Sequence, residues 1–446
     1  MNKSLVTLIC FISFSSYLAQ AASSVCRPQE FGGKADGETL NTNAIQQAIQ
    51  QCSQLGGGTV LLSPGIWLSG PLQLKDNITL NIKKGATLKA SNQEGKFISA
   101  FIGHPAKMNE AFIFADNVKN VAIMGEGTLD GDGEKTWWPE ALKIRGEVRA
   151  GNKKIFTDRF PGIPLANGVP RPWLVELNEV IQGKIENIHL TNSPMWNIVI
   201  RNSFDIIVNK VKITNPVTSP NTDGMDIVSS RKITVSNMDI ATGDDNIAIK
   251  SGLVNGTGAA SKDITIYDSI MRDNHGISVG SETANGIGKV TISRVTFLNT
   301  ENGVRIKSAR DRGNAIGPLI ASHLTMSNVN TPILVTNSYS GQAGAQGHTL
   351  TQPIETAPLT ASTPKIKGIT FSDVMATKAT YAMIFSGLPE SPIQDVSLHN
   401  VKIDASYGVQ ARYVAGKGNN VSISVKEGST MDKGPDATLQ LNAGID

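Results

Sequence analysis

Four short polar signatures stand out for chemistry: Asn221-Thr222-Asp223-Gly224, Gly243-Asp244-Asp245, His275-Gly276 and Arg305-Ile306-Lys307. Each interrupts or ends a run of alternating apolar residues, and the intervals between them are similar. Three carboxyls, an imidazole, a guanidinium and an ammonium make a set suited to acid/base work on an acidic substrate. Crowded carboxyls raise the pKa of at least one of them, which can then give a proton, and arginine suits two-pronged recognition of a carboxylate. Singly, each signature has a blander explanation: an Asx turn, a calcium-loop fragment, a structural histidine, a solvated edge. Together they need a fold that gathers residues far apart in sequence.

Such a fold is written in a degenerate repeat of four apolar positions at offsets 0, 2, 5 and 7. Ile206, Val208, Val211 and Ile213 fit it, as do Ile233, Val235, Met238 and Ile240. Val290, Ile292, Val295 and Phe297 repeat the pattern, followed by Leu319, Ala321, Leu324 and Met326, and finally Val396, Leu398, Val401 and Ile403. Ile264, Ile266 and Met271 fit at three positions, with Ser269 at the fourth. Starting points at 206, 233, 264, 290 and 319 give steps of 27, 31, 26 and 29; the next step, to 369, is 50, room for two coils or for one with a long insertion. Alternation that slips by one residue means short strands meeting at a sharp bend. Units this short cannot bury their apolar face alone and must stack. The pattern therefore predicts an all-β, single-domain, right-handed parallel β-helix with coils about 4.8 Å apart. A β-propeller is the alternative, but its blades of about 40 residues are too long.

The register then predicts a groove. Asp244 and His275 both lie at offset 11 of their coils, so stacking brings them together; Lys250 and Lys307 share offset 17. Val304 and Ile306 point inward, so Arg305 and Lys307 point out. The loop from Pro216 to Pro220 blurs the register of Asp223. Even so, the four signatures fall on four successive coils along one outer wall.

The ends of the chain add context. Lys3, an apolar run from Leu5 to Leu18 and Ala19-Gln20-Ala21 read as a secretory signal peptide over 1–21, cut after Ala21. A membrane anchor is the alternative, but Thr7 and several serines break the run. Export would leave Cys26 and Cys52, which most simply form one disulfide, with two buried free thiols as the alternative. Ala44, Ile45, Ala48, Ile49 and Cys52 share a helical face, with Asn43 expected as N-cap and Gly56-Gly57-Gly58 as the stop. This short helix is expected to cap the solenoid: 22–75 cap and first strands, 76–446 β-helix, one continuous domain. The 43 glycines and 5% aromatic residues suit a β-rich chain with many turns, and the net charge of +3 argues for neither nucleic acid nor membrane as partner.

The signatures as they stand resemble those of the polygalacturonases, glycoside hydrolase family 28. Ala241-Thr242-Gly243-Asp244-Asp245-Asn246 and His275-Gly276-Ile277-Ser278-Val279-Gly280-Ser281-Glu282-Thr283 are especially similar to bacterial endo-acting members, and residues 31–70 resemble the family's capping region. The resemblance implies a pectin-lyase-like solenoid and a secreted, monomeric hydrolase of α-1,4-galacturonosyl linkages in polygalacturonate, needing neither cofactor nor metal. It implies Asp244 as general acid and Asp223 and Asp245 as the groups that activate water. His275 would keep Asp244 protonated, Arg305 and Lys307 would bind substrate carboxylates, and Asn221, Gly276 and Tyr339 would be further substrate contacts. Asn274 departs from the glycine that the family often has before this histidine. The family inverts, whereas carboxylates about 5 Å apart on adjacent coils favour retention by the general rule.

Other readings remain open at this point. Exo action or another pectic glycosidase, of rhamnogalacturonan type, would use the same groove, and the insertion from Glu134 to Pro172, with Trp137 and Trp138, could close one end of it. A calcium-dependent pectate lyase would share the solenoid, though the histidine and the Arg-x-Lys pair fit hydrolysis better. A non-catalytic glycan-binding solenoid, an adhesin or tailspike, comes from another class. Asn77, Asn255 and Asn420 sit in glycosylation sequons.

Overall fold

Residues 24–159, 171–254, 256, 258–339 and 352–443 are described by the structure, a computed structural model of the chain. The expected leader 1–21, with its cut after Ala21, lies outside them, as does Asn255. Apolar residues of the repeat stack as their spacing predicts. Ile206, Ile233, Ile264, Val290, Leu319, Ile369 and Val396 pair in turn, each hydrogen-bonded in parallel with its counterpart on the next coil. A second column runs through Ile213, Ile240, Met271, Phe297, Met326, Ala376 and Ile403. Both columns belong to one buried core that runs the length of the molecule. The result is a right-handed parallel β-helix. Leu319 pairs directly with Ile369, so the 50-residue step is one coil carrying a long insertion.

Offset 4, where the alternation slips, is the bend. Lys210, Asn237, Asp268, Arg294, His323, Asp373 and Asn400 all occupy it, with φ between 50° and 54°. A single left-handed residue turns the chain through the corner; asparagine and aspartate tolerate that conformation better than other residues with a Cβ. Ser269, the polar exception in the repeat, sits just past this corner. Its hydroxyl accepts from Met238 N at 3.1 Å and donates to Tyr267 O at 2.8 Å, so it satisfies buried backbone rather than adding apolar area.

The first helix, α1 (Thr42–Gln54), buries Ala44, Ile45, Ala48, Ile49 and Cys52. Its N-cap residue is Asn41, not Asn43, which lies within the first turn. Asn41 makes no capping bond from its side chain; instead it exchanges hydrogen bonds with Lys34 and donates to Thr39 O, fixing the entering loop. Gln46 ties α1 to the first coils through two bonds with the Gln73 backbone. Cys26 is bonded to Cys52, joining the strand Val25–Cys26 to α1, and that strand already pairs with Gly58–Leu62. From there the sheet continues to Ala437–Asn442. The insertion over 134–172 contributes a second long helix, α2 (Trp138–Arg149), between two single-turn helices. Trp138 is buried and donates Nε1–H to Ser193 O at 2.9 Å, seating α2 on the solenoid. Among the described residues no helix is long and apolar enough to cross a membrane.

The bend makes a stability prediction. Lys210 holds the left-handed corner with an ordinary side chain that is exposed to water. Lys210→Asn is expected to raise the melting temperature slightly, whereas Lys210→Val is expected to destabilise by about 1–2 kcal/mol, the cost of a left-handed residue with a branched side chain. Thermal unfolding of both variants checks the order; a Val variant as stable as the parent would contradict the corner's role.

Candidate active site

The wall that carries the signatures is made from Met225–Val228 (β1), Asp245–Lys250 (β2), His275–Gly280 (β3) and Asn302–Lys307 (β4), paired in that order. Along each strand one set of side chains enters the core: Met225, Ile227, Ile247, Ile249, Ile277, Val279, Val304 and Ile306. Strand alternation therefore turns Asp226, Lys250, Ser278, Arg305 and Lys307 to the other face. Met225 pairs with Ile247, which sets Asp223 level with Asp245, and the Gly224 amide donates to Asp245 O. Asp245 in turn pairs with His275, and His275 with Asn302.

This register differs by one residue from the expected match of Asp244 with His275. Ala241 pairs with Arg272 while Asp245 pairs with His275, so the corner of the earlier coil holds three residues and that of the later coil two. The extra residue leaves Asp244 in the corner itself, where its carboxylate accepts from the Asp245 amide at 3.0 Å. The expected proximity holds nonetheless: a ligating atom from each of Asp244, Asp245 and His275 lies within 4.8 Å of the others. A cation could bridge that spacing, but protein cations already neutralise Asp245. Arg305 Nη2 donates to its Oδ1 at 2.5 Å and Lys307 Nζ to its Oδ2 at 2.9 Å. Ser278 reinforces the cluster, donating to Asp245 and accepting from Arg305 Nε.

The carboxyls end up in opposite electrostatic states. Burial alone would raise Asp245, but Lys307, Arg305 and His275 together hold it well below the ordinary range. Asp223 is pushed well above that range by burial, and then by Asp244 and Asp226, and its Oδ1 has no hydrogen-bond partner. Burial likewise raises Asp226, to about 8, against the opposing pull of Lys250. His275 Nδ1 lies 2.9 Å from Glu301 Oε2, and the contact draws the Glu301 carboxyl below its usual value. Tyr339 faces Lys307, whose Nζ is 5.9 Å from the ring centre.

Asn221, Asp223, Asp244, Asp245, His275, Arg305, Lys307 and Tyr339 line one cleft of about 520 Å³. Gly276 does not. A Cβ there would fall 2.4 Å from the carbonyl oxygens of Asn302 and Gly303, so close coil packing alone requires that glycine. Asn274 adopts φ 40° and its amide holds Val217 O and Thr242 O, which shows how an asparagine serves in the place of glycine. Several lining or supporting groups escaped the sequence reading. Asp226 and Glu282 flank Lys250 at 3.4 and 3.1 Å, and both stand within or beside the signatures, where period-2 alternation could have found them. Lys250 does not stack on Lys307: a coil lies between them, and these two acids hold it. Arg171, buried, binds the carbonyls of Pro194 and Pro220 and donates to Asn221 Oδ1 at 3.0 Å, and burial lowers its pKa to about 9. Arg145 and Arg149 reach the cleft from α2.

Comparison with known proteins follows the same lines. The model of the glycosyl hydrolases family 28 matches residues 59–423. An endo-polygalacturonase of Pectobacterium parmentieri is 32% identical over 396 residues, covering 85% of this chain and 88% of the relative. The solved polygalacturonase of Erwinia carotovora ssp. carotovora superposes with a TM-score of 0.63 at 28% identity, covering 94% of this chain and all of that one. An exopolygalacturonase from Thermotoga maritima shares the fold, with a TM-score of 0.72 at 24% identity over 91% of this chain and 93% of its own.

Lys307→Met tests the electrostatics. With one of its two cations gone, Asp245 should titrate at higher pH, which carboxyl-carbon NMR reads directly. Because the folded pKa is depressed, the ion pairs stabilise the fold above the ordinary carboxyl pKa and that contribution fades as the pH falls through the folded value. The variant should therefore lose at most about 3–5 kcal/mol at neutral pH, since Arg305 remains, and less in acid. An unmoved Asp245 titration would refute the assignment.

Proposed function

The chain belongs to the glycosyl hydrolases of family 28, as a polygalacturonase-type hydrolase, and from that membership we propose an exported, endo-acting enzyme that cleaves polygalacturonate with inversion. The observation that carries this reading is the convergence of three carboxyls and His275 beside a cation pair already seated on a carboxylate. Asp244, in the corner and partly open to the cleft, gives its proton to the glycosidic oxygen as the C1–O bond breaks. A water attacks C1 from the opposite face, and its proton passes to Asp223. The raised pKa of Asp223, caused first by burial, makes it the strongest base of the set once ionised. Asp245, held ionised, orients the water as an acceptor. His275, between Asp244 and Glu301, fixes the side-chain geometry of the acid.

Arg305 and Lys307 take the uronate carboxylate next to the cleaved bond. They rest on Asp245, so substrate would meet cations that are already oriented. A second reading, exo action, is favoured by α2, because an inserted helix carries two arginines that line the cleft. Product size separates the two.

Purified protein on polygalacturonate should release a ladder of oligomers from the earliest time point, with EDTA present and without the ultraviolet absorbance of unsaturated products. Asp244→Asn should cut kcat by about 10²–10⁴-fold. Proton NMR of the first product should show the β anomer. Monomer or dimer alone would mean exo action; a first-formed α anomer would mean retention; calcium-dependent unsaturated products would overturn hydrolysis.

A further inference from the structure

The cations of the cleft are mostly committed. Arg305 and Lys307 are bound to Asp245, Lys250 to Asp226 and Glu282, and Arg171 to backbone carbonyls and Asn221. Arg145 and Arg149 are different. They project from α2 one helical turn apart and so share a face, with Val148 beside them, and that face lines the cleft. Among the described residues neither guanidinium has a hydrogen bond or an ion pair, although Arg145 is half buried and feels the fields of Asp244 and Asp223. The helix is not free to turn them away. Ala141, one turn before Arg145, and Ile144 are buried, and Trp138 is pinned to Ser193 O.

Arg149 is exposed, but its charge stands beside the half-buried Arg145, and that repulsion on a partly desolvated group costs free energy unless an anion comes between them. Their position defines which anion. Trp138, at the start of α2, is anchored to Ser193 on the coil that precedes β1, and Arg145 at its far end lies in the fields of Asp223 and Asp244, whereas Arg305 and Lys307 lie on β4, beyond Asp245. A polymer lying along the wall would meet the arginine pair on one side of the catalytic acids and the Arg305–Lys307 pair on the other. Forked guanidiniums suit a planar carboxylate.

We propose that Arg145 and Arg149 form a second carboxylate clamp, which grips a free uronate on the N-terminal side of the cleaved bond while Arg305 and Lys307 grip one on the far side. The inference rests on the polygalacturonase reading and deepens it: the substrate is a de-esterified stretch with free carboxylates on both sides of the bond. A polymer alternating uronate with neutral sugar leaves one clamp empty, as does a methyl-esterified stretch.

Steady-state kinetics of Arg145→Gln/Arg149→Gln on polygalacturonate test the clamp, with Lys143→Gln, which removes an exposed charge from the same helix, as the control. The double variant should raise KM about tenfold or more with kcat within about twofold, the signature of lost ground-state binding. Its preference for polygalacturonate over highly methyl-esterified pectin should shrink by a similar factor, and Lys143→Gln should match the parent. Arg145→Lys/Arg149→Lys keeps the charge without the fork and should fall between; it also serves if the glutamine pair does not fold. An unchanged KM overturns the clamp while leaving the polygalacturonase reading intact, as does an equal rise in the Lys143 variant. A fall in kcat at constant KM overturns it too, by moving the arginines from binding to chemistry. Parent protein that releases no reducing ends from polygalacturonate overturns the functional reading, and the clamp with it.

Discussion

Coil-to-coil hydrogen bonding in register governs this molecule. The long-range backbone bonds of the walls run between a coil and its neighbours, so a slip of one residue would turn a whole strand's apolar face outward. Walls therefore admit no insertions; corners do. The segment carrying α2 leaves the solenoid after Asp130 and returns at Trp173, at the corner type that also holds Asp223, Asp244 and Glu301 on later coils. The other long insertion leaves after Thr336. The candidate catalytic groups and the added helix thus occupy equivalent corners of one solenoid edge. Geometric precision comes from the walls, and chemical variety from what the corners display.

A site built this way is mostly buried charge, and burial makes each carboxyl's state depend on its neighbours. Two cations and the imidazole outweigh desolvation at Asp245 and hold its pKa well down; Asp223, a coil away, lacks such partners and burial pushes its pKa well up. Divergent pKa values within one cluster are what proton transfer at both ends of a bond requires. Support extends beneath the cleft. Lys250 lies 4.7 Å from the centre of the Trp196 ring, Trp196 stacks on Trp173 at 5.3 Å with parallel planes, and Arg201 covers Trp173 at 5.5 Å. Arg201 is itself held by Glu110 and Glu176 at 2.8 and 2.7 Å. Two charged networks are joined by a pair of stacked rings, which locks the outer face of the wall where alternation alone would leave loose polar side chains.

Much of this could be read from one-dimensional spacing, because a solenoid converts sequence interval into spatial adjacency. The columns through Ile206 and Ile213, and the shared wall of Asp244, Asp245, His275, Arg305 and Lys307, follow from the offsets, whereas Asn221 and Tyr339 come from the resemblance. What the offsets blurred was corner length. A corner of three residues against one of two moved His275 from Asp244 to Asp245, and only the Leu319–Ile369 pairing resolved the 50-residue step. Asn43 was read as the cap because the apolar face begins beside it, yet Asn41, two residues earlier, ends the preceding loop. Gly276 carried a functional expectation from its motif, although its missing side chain is explained by packing against the next coil. Arg145 and Arg149 gave no signal. They lie outside the repeat, on a helix whose placement over the wall no period encodes.

That blind spot follows from the architecture itself. Within the repeat, each position's neighbours are fixed by the stacking, so residue type and offset together imply a place and often a role. An inserted helix borrows its position from a few anchors, here Trp138 on Ser193 and the buried Ala141 and Ile144, which read as ordinary core residues. The same freedom makes insertions the natural place to alter specificity. Register ties every wall residue to its partners on two neighbouring coils, whereas an arginine on α2 can be gained or lost without disturbing the three carboxyls. With the candidate catalytic groups on the walls and their adjoining corners, and the proposed clamp on an insertion, the architecture would let the chemistry and the choice of substrate vary separately.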